Sequence, residues 1–291
     1  MPVLRKKVMA VIAAVMALVV ALLRIAIVPN AQNAVSGRFT ISYVVIGVIS
    51  VTLAVMLVLG RGGRERLPCL TGGALLPVTL SGMLFGATLV LNMLYDVWNW
   101  MAYHITPPPN QTVIGVFDAV TLVLTIVFGL LGGGFVLWLC LRWSATGRSV
   151  HRLYQWMPIM PVLWMWMRLA RYELSYASAV DVTRSFYDFV MLIFSLLFLF
   201  AFARYVSGVG RPSRWLLFFS GATALLSLSG TIAQAGFVLL LEREAYYSSQ
   251  LAGFPDFALG LFALCLTFAL AFSPAEEDET SETGAADESA E

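Results

Sequence analysis

The sequence predicts an all-α, polytopic integral membrane bundle of about eight transmembrane helices, with both termini on the cytoplasmic side. Three observations carry this expectation. Apolar runs near 20 residues long recur along the chain, the length at which a helix crosses a bilayer core. Hydrophobic residues make up 59% of the 291 and charged residues only 12%, with a mean hydropathy of +0.83, whereas soluble domains carry about a quarter charged residues. Basic residues also return in threes at alternate links, the bias of cytoplasmic loops. A soluble fold would have to bury every such helix all round, and a chain this short has too little interior for that. A β-barrel would alternate apolar and polar residues over about ten positions, and these runs do not alternate.

The elements follow in order. Arg5, Lys6 and Lys7 precede the first run, 8–28, which is longer than a signal-peptide core and lacks a small-residue cleavage site before Arg24. It is therefore expected as a retained helix, with Arg24 snorkelling from its last turn. The second helix covers 41–60 and is followed by the basic turn GRGGRER, then Pro68, Gly72 and Gly73. The third covers 74–95 or somewhat beyond. Gly82 and Gly86 there have the GxxxG spacing of close helix packing, and Asn92 and Asp96 share a face near its end. Trp98 and Trp100 mark an interface.

After His104 and the stiff Pro107, Pro108 and Pro109, the fourth helix covers 113–141, beginning near Asp118. Gly129, Gly132, Gly133 and Gly134 make it irregular or closely packed. The fifth, 154–172, contains Pro158, Pro161, Trp156, Trp164 and Trp166 and ends on Arg168 and Arg171. A short charged link with Glu173 and Asp181 leads to Arg184, Asp188 and the sixth helix, 185–206. The seventh, 215–241, has a small, polar middle, SLSGTIAQAG, with Thr231 and Gln234. The eighth, 257–272, follows Pro255 and Asp256.

Residues 1–273 thus form a single transmembrane domain, and 274–291 a disordered acidic cytoplasmic tail. The tail carries eight carboxylates and no Lys or Arg, so the formal charge of +1 conceals a body with nine acids against 18 bases. That imbalance is membrane anchoring and implies no nucleic-acid partner. Placing the N-terminus inside puts 12 bases at inner ends and six at outer ends. The body's acids gather at the outer ends, leaving Glu65 inside.

Function is sought where charge lies against apolar helix, because an ionisable group there is costly. Arg168 and Arg171, three apart on a helix, suit a carboxylate, a phosphate or a lipid headgroup; the competing use is snorkelling or structural pairing. Arg184 and Asp188 have the spacing of a helix-stabilising pair, and Asp188 could instead neutralise Arg171 or relay a proton. Asp96 and Asp118, across one outer link, would share a proton, hold a cation, cap helices or pair with outer arginines such as those near Glu173. Thr231 and Gln234 should look into the bundle, for interhelical hydrogen bonds or for a solute. Pro158 and Pro161 would break the fifth helix and permit gating.

Other chemistries lack their residues. There is no HExxH, GxSxG or Walker A sequence, and the two histidines, His104 and His151, fall on opposite sides in this topology. Cys69, Cys140 and Cys265 are isolated and form no CxxC, zinc spacing or disulfide framework. No cofactor, metal site or catalytic residue is assigned.

The stretch 158–208, with PVLWMWMRLARYELSY leading into SFYDFVMLIFSLLFLFAFARYVSG, resembles an uncharacterised group of bacterial, Gram-positive multi-pass membrane proteins. The resemblance implies a bacterial cytoplasmic membrane and brings no substrate. The expectation is transport or binding of a small polar, anionic solute, with Arg168, Arg171, Asp188, Thr231 and Gln234 as its contacts. The alternative is a membrane sensor, assembly factor or lipid-interacting scaffold with a protein partner. A lipid-modifying enzyme would need a nucleophile that the sequence does not identify.

Overall fold

In an apolar solvent each backbone N–H and C=O must find a partner within its own segment, and each apolar run accordingly forms a helix. The structure, a computed structural model, describes residues 2–27, 35–60, 75–105, 116–146, 156–176, 182–207, 214–241 and 253–272. They form α1 (Pro2–Ile27), α2 (Val35–Gly60), α3 (Leu75–Ile105), α4 (Val116–Thr146), α5 (Ile159–Tyr176), α6 (Val182–Val206), α7 (Arg214–Leu241) and α8 (Phe254–Phe272). There is no strand among the described residues. His151 and the acidic tail lie outside them.

Six helices contain spans long and apolar enough to cross a membrane: Leu4–Ile25, Leu75–Ala102, Ala119–Trp143, Tyr187–Val206, Trp215–Gly236 and Phe254–Phe272. The chain is an integral membrane helical bundle. The described apolar part of α2, Val44–Leu59, is shorter. The fifth helix, expected as a further span, falls outside the six, because Arg168, Arg171 and Glu173 lie within its 18 residues.

Helix starts differ from expectation by up to six residues, with α1 and α2 beginning early at Pro2 and Val35, and prolines set the starts of α5 and α8. α5 begins at Ile159, after a turn in which Ile159 N donates to Trp156 O (3.2 Å) and Met160 N to Met157 O (3.1 Å). Pro158 therefore precedes the helix and Pro161 sits in its first turn, where a missing N–H breaks no helical bond. The prolines start α5; they do not interrupt it. α8 begins earlier than expected. Gly253 O accepts from Asp256 N (3.0 Å) and Phe257 N (3.3 Å), which draws Pro255 and Asp256 into its first turn.

Outward faces are apolar as well as inward ones. On α1, Val8, Val11, Val15, Leu18 and Leu22 form an exposed stripe, while Ala13, Ala17 and Ala21 lie on the buried face. Small residues four apart let backbones approach closely, and Ala13 meets α7 at Gly221. The same device joins α3 to α4. A methyl group at Gly86 would come 2.9 Å from Gly133 O, and one at Gly133 would come 3.0 Å from Gly86 O. The glycine-rich part of α4 is thus a site of close packing within a continuous helix.

Packing contacts close a ring in the order α3, α4, α5, α6, α7, α8 and back to α3. α1 lies against α7 and α8, and α2 against α1 and α7. The spans of α7 and α8 are 78% and 67% buried, against 33–44% for the other four, so these two form the centre. The ring's interior is filled with aromatic side chains. Phe262 of α8 meets Phe85 (6.2 Å between centroids), Phe198 (6.0 Å) and Phe202 (5.2 Å), while Trp164 meets Phe85 and Trp143 meets Phe202.

Candidate functional site

Above this aromatic column, a charge pair crosses the ring. Arg168 Nη1 donates to Asp256 Oδ1 (2.6 Å) and Nη2 to Oδ2 (2.9 Å), a two-pronged bond in which Asp256 is 2% exposed and Arg168 13%. The planar guanidinium fork matches a carboxylate in this geometry. Each partner is further fixed by its own helix. The guanidinium carbon lies 5.0 Å from the centroid of Trp164, one turn earlier on α5, a cation–π arrangement. Asp256 accepts weakly from Gly253 N (3.4 Å) at the start of α8, where the helix dipole favours a carboxylate. Its backbone oxygen accepts from Ser227 Oγ of α7 (2.7 Å).

Asp256 lies in the first turn of α8, yet the pair is sealed inside the bundle, where each ion alone would be strongly disfavoured. Trp164 is 1% exposed, and its indole N–H is buried without an acceptor.

Other charges converge on the same end. Asp96 of α3 and Asp188 of α6 are within electrostatic reach of Arg168, and Asp96 also of Arg171. Described side chains from α3, α5, α6 and α8 thus bring two arginines and three aspartates together. The opposite end holds Arg5, Lys6, Lys7, Arg142 and Arg204, with Lys7 over Phe272 (5.2 Å) and Arg142 over Trp138 (5.3 Å).

Of the predicted contacts, Arg168, Arg171 and Asp188 join this cluster. Thr231 is buried, but its hydroxyl donates to Ser227 O of its own helix (2.8 Å), which satisfies it without a solute. Gln234 is half-buried and lies further toward the end of α7. Pro158 and Pro161 are buried at the far end of α5, and Pro161 packs against Gly132 of α4. The side chains of Asp118, Glu173, Arg184 and His104 lie outside the described residues. The tryptophans divide: Trp164 is interior, whereas Trp156 and Trp166 are 78% and 56% exposed. No three His, Cys, Asp or Glu side chains gather as metal ligands among the described residues.

Sequence reasoning passed over Asp256 and Trp164 as site residues and expected Arg24 only to snorkel. One signal did point to Asp256: it is the lone charge in Phe254–Phe272. Arg24 lies across the ring of Tyr187, 4.1 Å from its centroid. Tyr187 OH in turn donates to Leu226 O (2.5 Å) and is 2.7 Å from Ser229 Oγ. Comparison of the chain with protein-family models, curated proteins and solved structures finds no match to any of them.

Proposed function

We propose that the protein binds and moves a small polar solute across a bacterial cytoplasmic membrane, with both termini cytoplasmic and the Arg168 end outermost. The observation that carries this reading is the buried Arg168–Asp256 pair, which joins two helices across the ring above the aromatic column. An ion pair so buried is a poor source of stability compared with apolar packing, and charges inside membrane bundles mark solute or ion paths. In this reading the pair and the aromatic column are the closed state of a path through the ring. A solute carboxylate would take the place of Asp256 on the Arg168 fork, with the unpartnered Trp164 N–H as a further donor.

The charge balance modifies the solute expected from Arg168 and Arg171 alone. Three aspartates face two arginines, so a purely anionic solute meets excess negative charge. A solute bearing both a carboxylate and an ammonium group suits the cluster better, the ammonium group facing Asp96, Asp188 or the displaced Asp256. A second reading, a sensor or scaffold in which the pair only fastens α5 to α8, is favoured by the completeness of the two-pronged bond.

Thermal unfolding of the detergent-solubilised protein, titrated with glycine, acetate and methylammonium, separates these readings. Stabilisation by glycine above that by acetate or methylammonium, weakened in a folded Arg171→Ala variant, is the expected result. No response to any of the three, together with full stability of Arg168→Met/Asp256→Leu, would leave the pair a fastener.

A further inference from the structure

The two ends of α8 have opposite surroundings. Its first turn holds the Asp256 carboxylate. Its last residue, Phe272, is half exposed and lies under the ammonium group of Lys7, 5.2 Å from the ring centroid. The start of α1, with Arg5, Lys6 and Lys7, is therefore set against the end of α8. Arg5 is exposed there, as is Arg204 near the end of α6. The carboxylates within reach of Arg168, those of Asp96, Asp188 and Asp256, are all at the other end. A surface of one sign at the exit of a helix calls for an anion.

The chain carries that anion at the same exit. Glu276, Glu277, Asp278 and Glu279 begin four residues after Phe272, and Glu282, Asp287, Glu288 and Glu291 follow, with no Lys or Arg after Arg243. Four to seven residues of chain reach at most about 14–25 Å, so every carboxylate of the 276–279 run can meet Lys7, which touches the point of departure. A tethered group acts at about millimolar effective concentration, and charges in a row act together where a single exposed pair achieves little. We infer that the 276–279 run docks on the basic start of α1, Arg5, Lys6 and Lys7, as a built-in competitor of anionic phospholipid headgroups, which are drawn to basic segments beside membrane helices. The contact weakens as added salt screens it. It needs only the meeting of α1 with α8, so it stands apart from the solute proposed for the Arg168 cluster.

The test uses the full chain in maltoside micelles. A water-soluble carbodiimide condenses a carboxylate with a lysine ammonium group that touches it, forming an amide with loss of water. Peptide mass spectrometry of the monomer is expected to show Lys6 or Lys7 joined to the 276–279 run at low salt, with the yield falling severalfold at high salt. A second measurement compares two variants that remove equal charge, Glu276→Gln/Glu277→Gln/Glu279→Gln and Asp287→Asn/Glu288→Gln/Glu291→Gln. Phosphatidylglycerol is added to each, and retained lipid is counted by native mass spectrometry. The first variant is expected to retain severalfold more lipid than wild type, and the second to stay close to wild type. The inference is overturned if no link to Lys6 or Lys7 forms within a monomer, if links join only separate copies, or if their yield ignores salt. It is equally overturned if the first variant gains no more lipid than the second, which would leave net charge as the tail's whole effect. All six substitutions lie beyond α8, and the crosslink is read on the unaltered chain, so the outcome does not hang on the folding of a variant.

Discussion

Arg168 and Arg24 are guanidiniums placed among helices at the same end of the bundle, and they resolve their burial differently. Arg168 is matched by a carboxylate two-pronged and nearly sealed from solvent, 88 residues away in sequence. Arg24 is matched by the uncharged ring and hydroxyl of Tyr187 and keeps an unsatisfied donor. Both rest on an aromatic ring, Trp164 in one case and Tyr187 in the other. Consecutive residues of α6 serve the two: Tyr187 lies under Arg24, and Asp188 acts electrostatically on Arg168. The difference follows from what the neighbouring helix offers. α8 presents the Asp256 carboxylate to Arg168, whereas α6 presents Tyr187, a ring and a hydroxyl without charge, to Arg24.

Substitutions should separate the two regions by size of effect. Arg168→Ala leaves the Asp256 carboxylate buried and alone, and should lower stability by about 3–5 kcal/mol, the usual result of breaking a buried pair from one side. Unfolding by sodium dodecyl sulfate titration reads this directly. The double variant Arg168→Met/Asp256→Leu should recover most of the loss; if it does not, the pair contributes more to stability than apolar packing would. Tyr187→Phe removes the hydroxyl that ties α6 to α7 and should cost about 1 kcal/mol by the same titration. Arg24→Gln should change stability by less than about 0.5 kcal/mol in detergent micelles, because the lost cation–π contact is offset by removal of an unpaired charge. A loss comparable to that of Arg168→Ala would show a protein countercharge for Arg24 and erase the contrast.

The helices were legible because hydrocarbon length is a local property. Every expected run contains a helix. The largest departures are extensions, with α1 and α2 beginning six residues early and α3 reaching Ile105, while the starts of α5 and α8 at prolines and the three charges that keep α5 outside the apolar spans have local causes. Gly86 was legible as a packing residue, though not its partner Gly133, since GxxxG records that a backbone comes close without saying which one. The site was legible in part. Arg168, Arg171, Asp96 and Asp188 stood out as charges beside apolar sequence, and they do converge. Thr231 also stood out, yet its hydroxyl turns back to its own helix, an option open to any helical threonine and invisible in composition.

By itself, then, the sequence determined the solvent of this protein, its helical class and the end at which its charges of both signs collect. Each of these depends on composition over one helix length. Tertiary structure alone decided that α7 and α8 form the centre, that Asp256 answers Arg168, and that Arg24 lies on Tyr187 with a donor to spare. These outcomes depend on which helix faces which. Apolar surface packs against apolar surface without direction, so only the closed ring of helices singles out one carboxylate for one guanidinium.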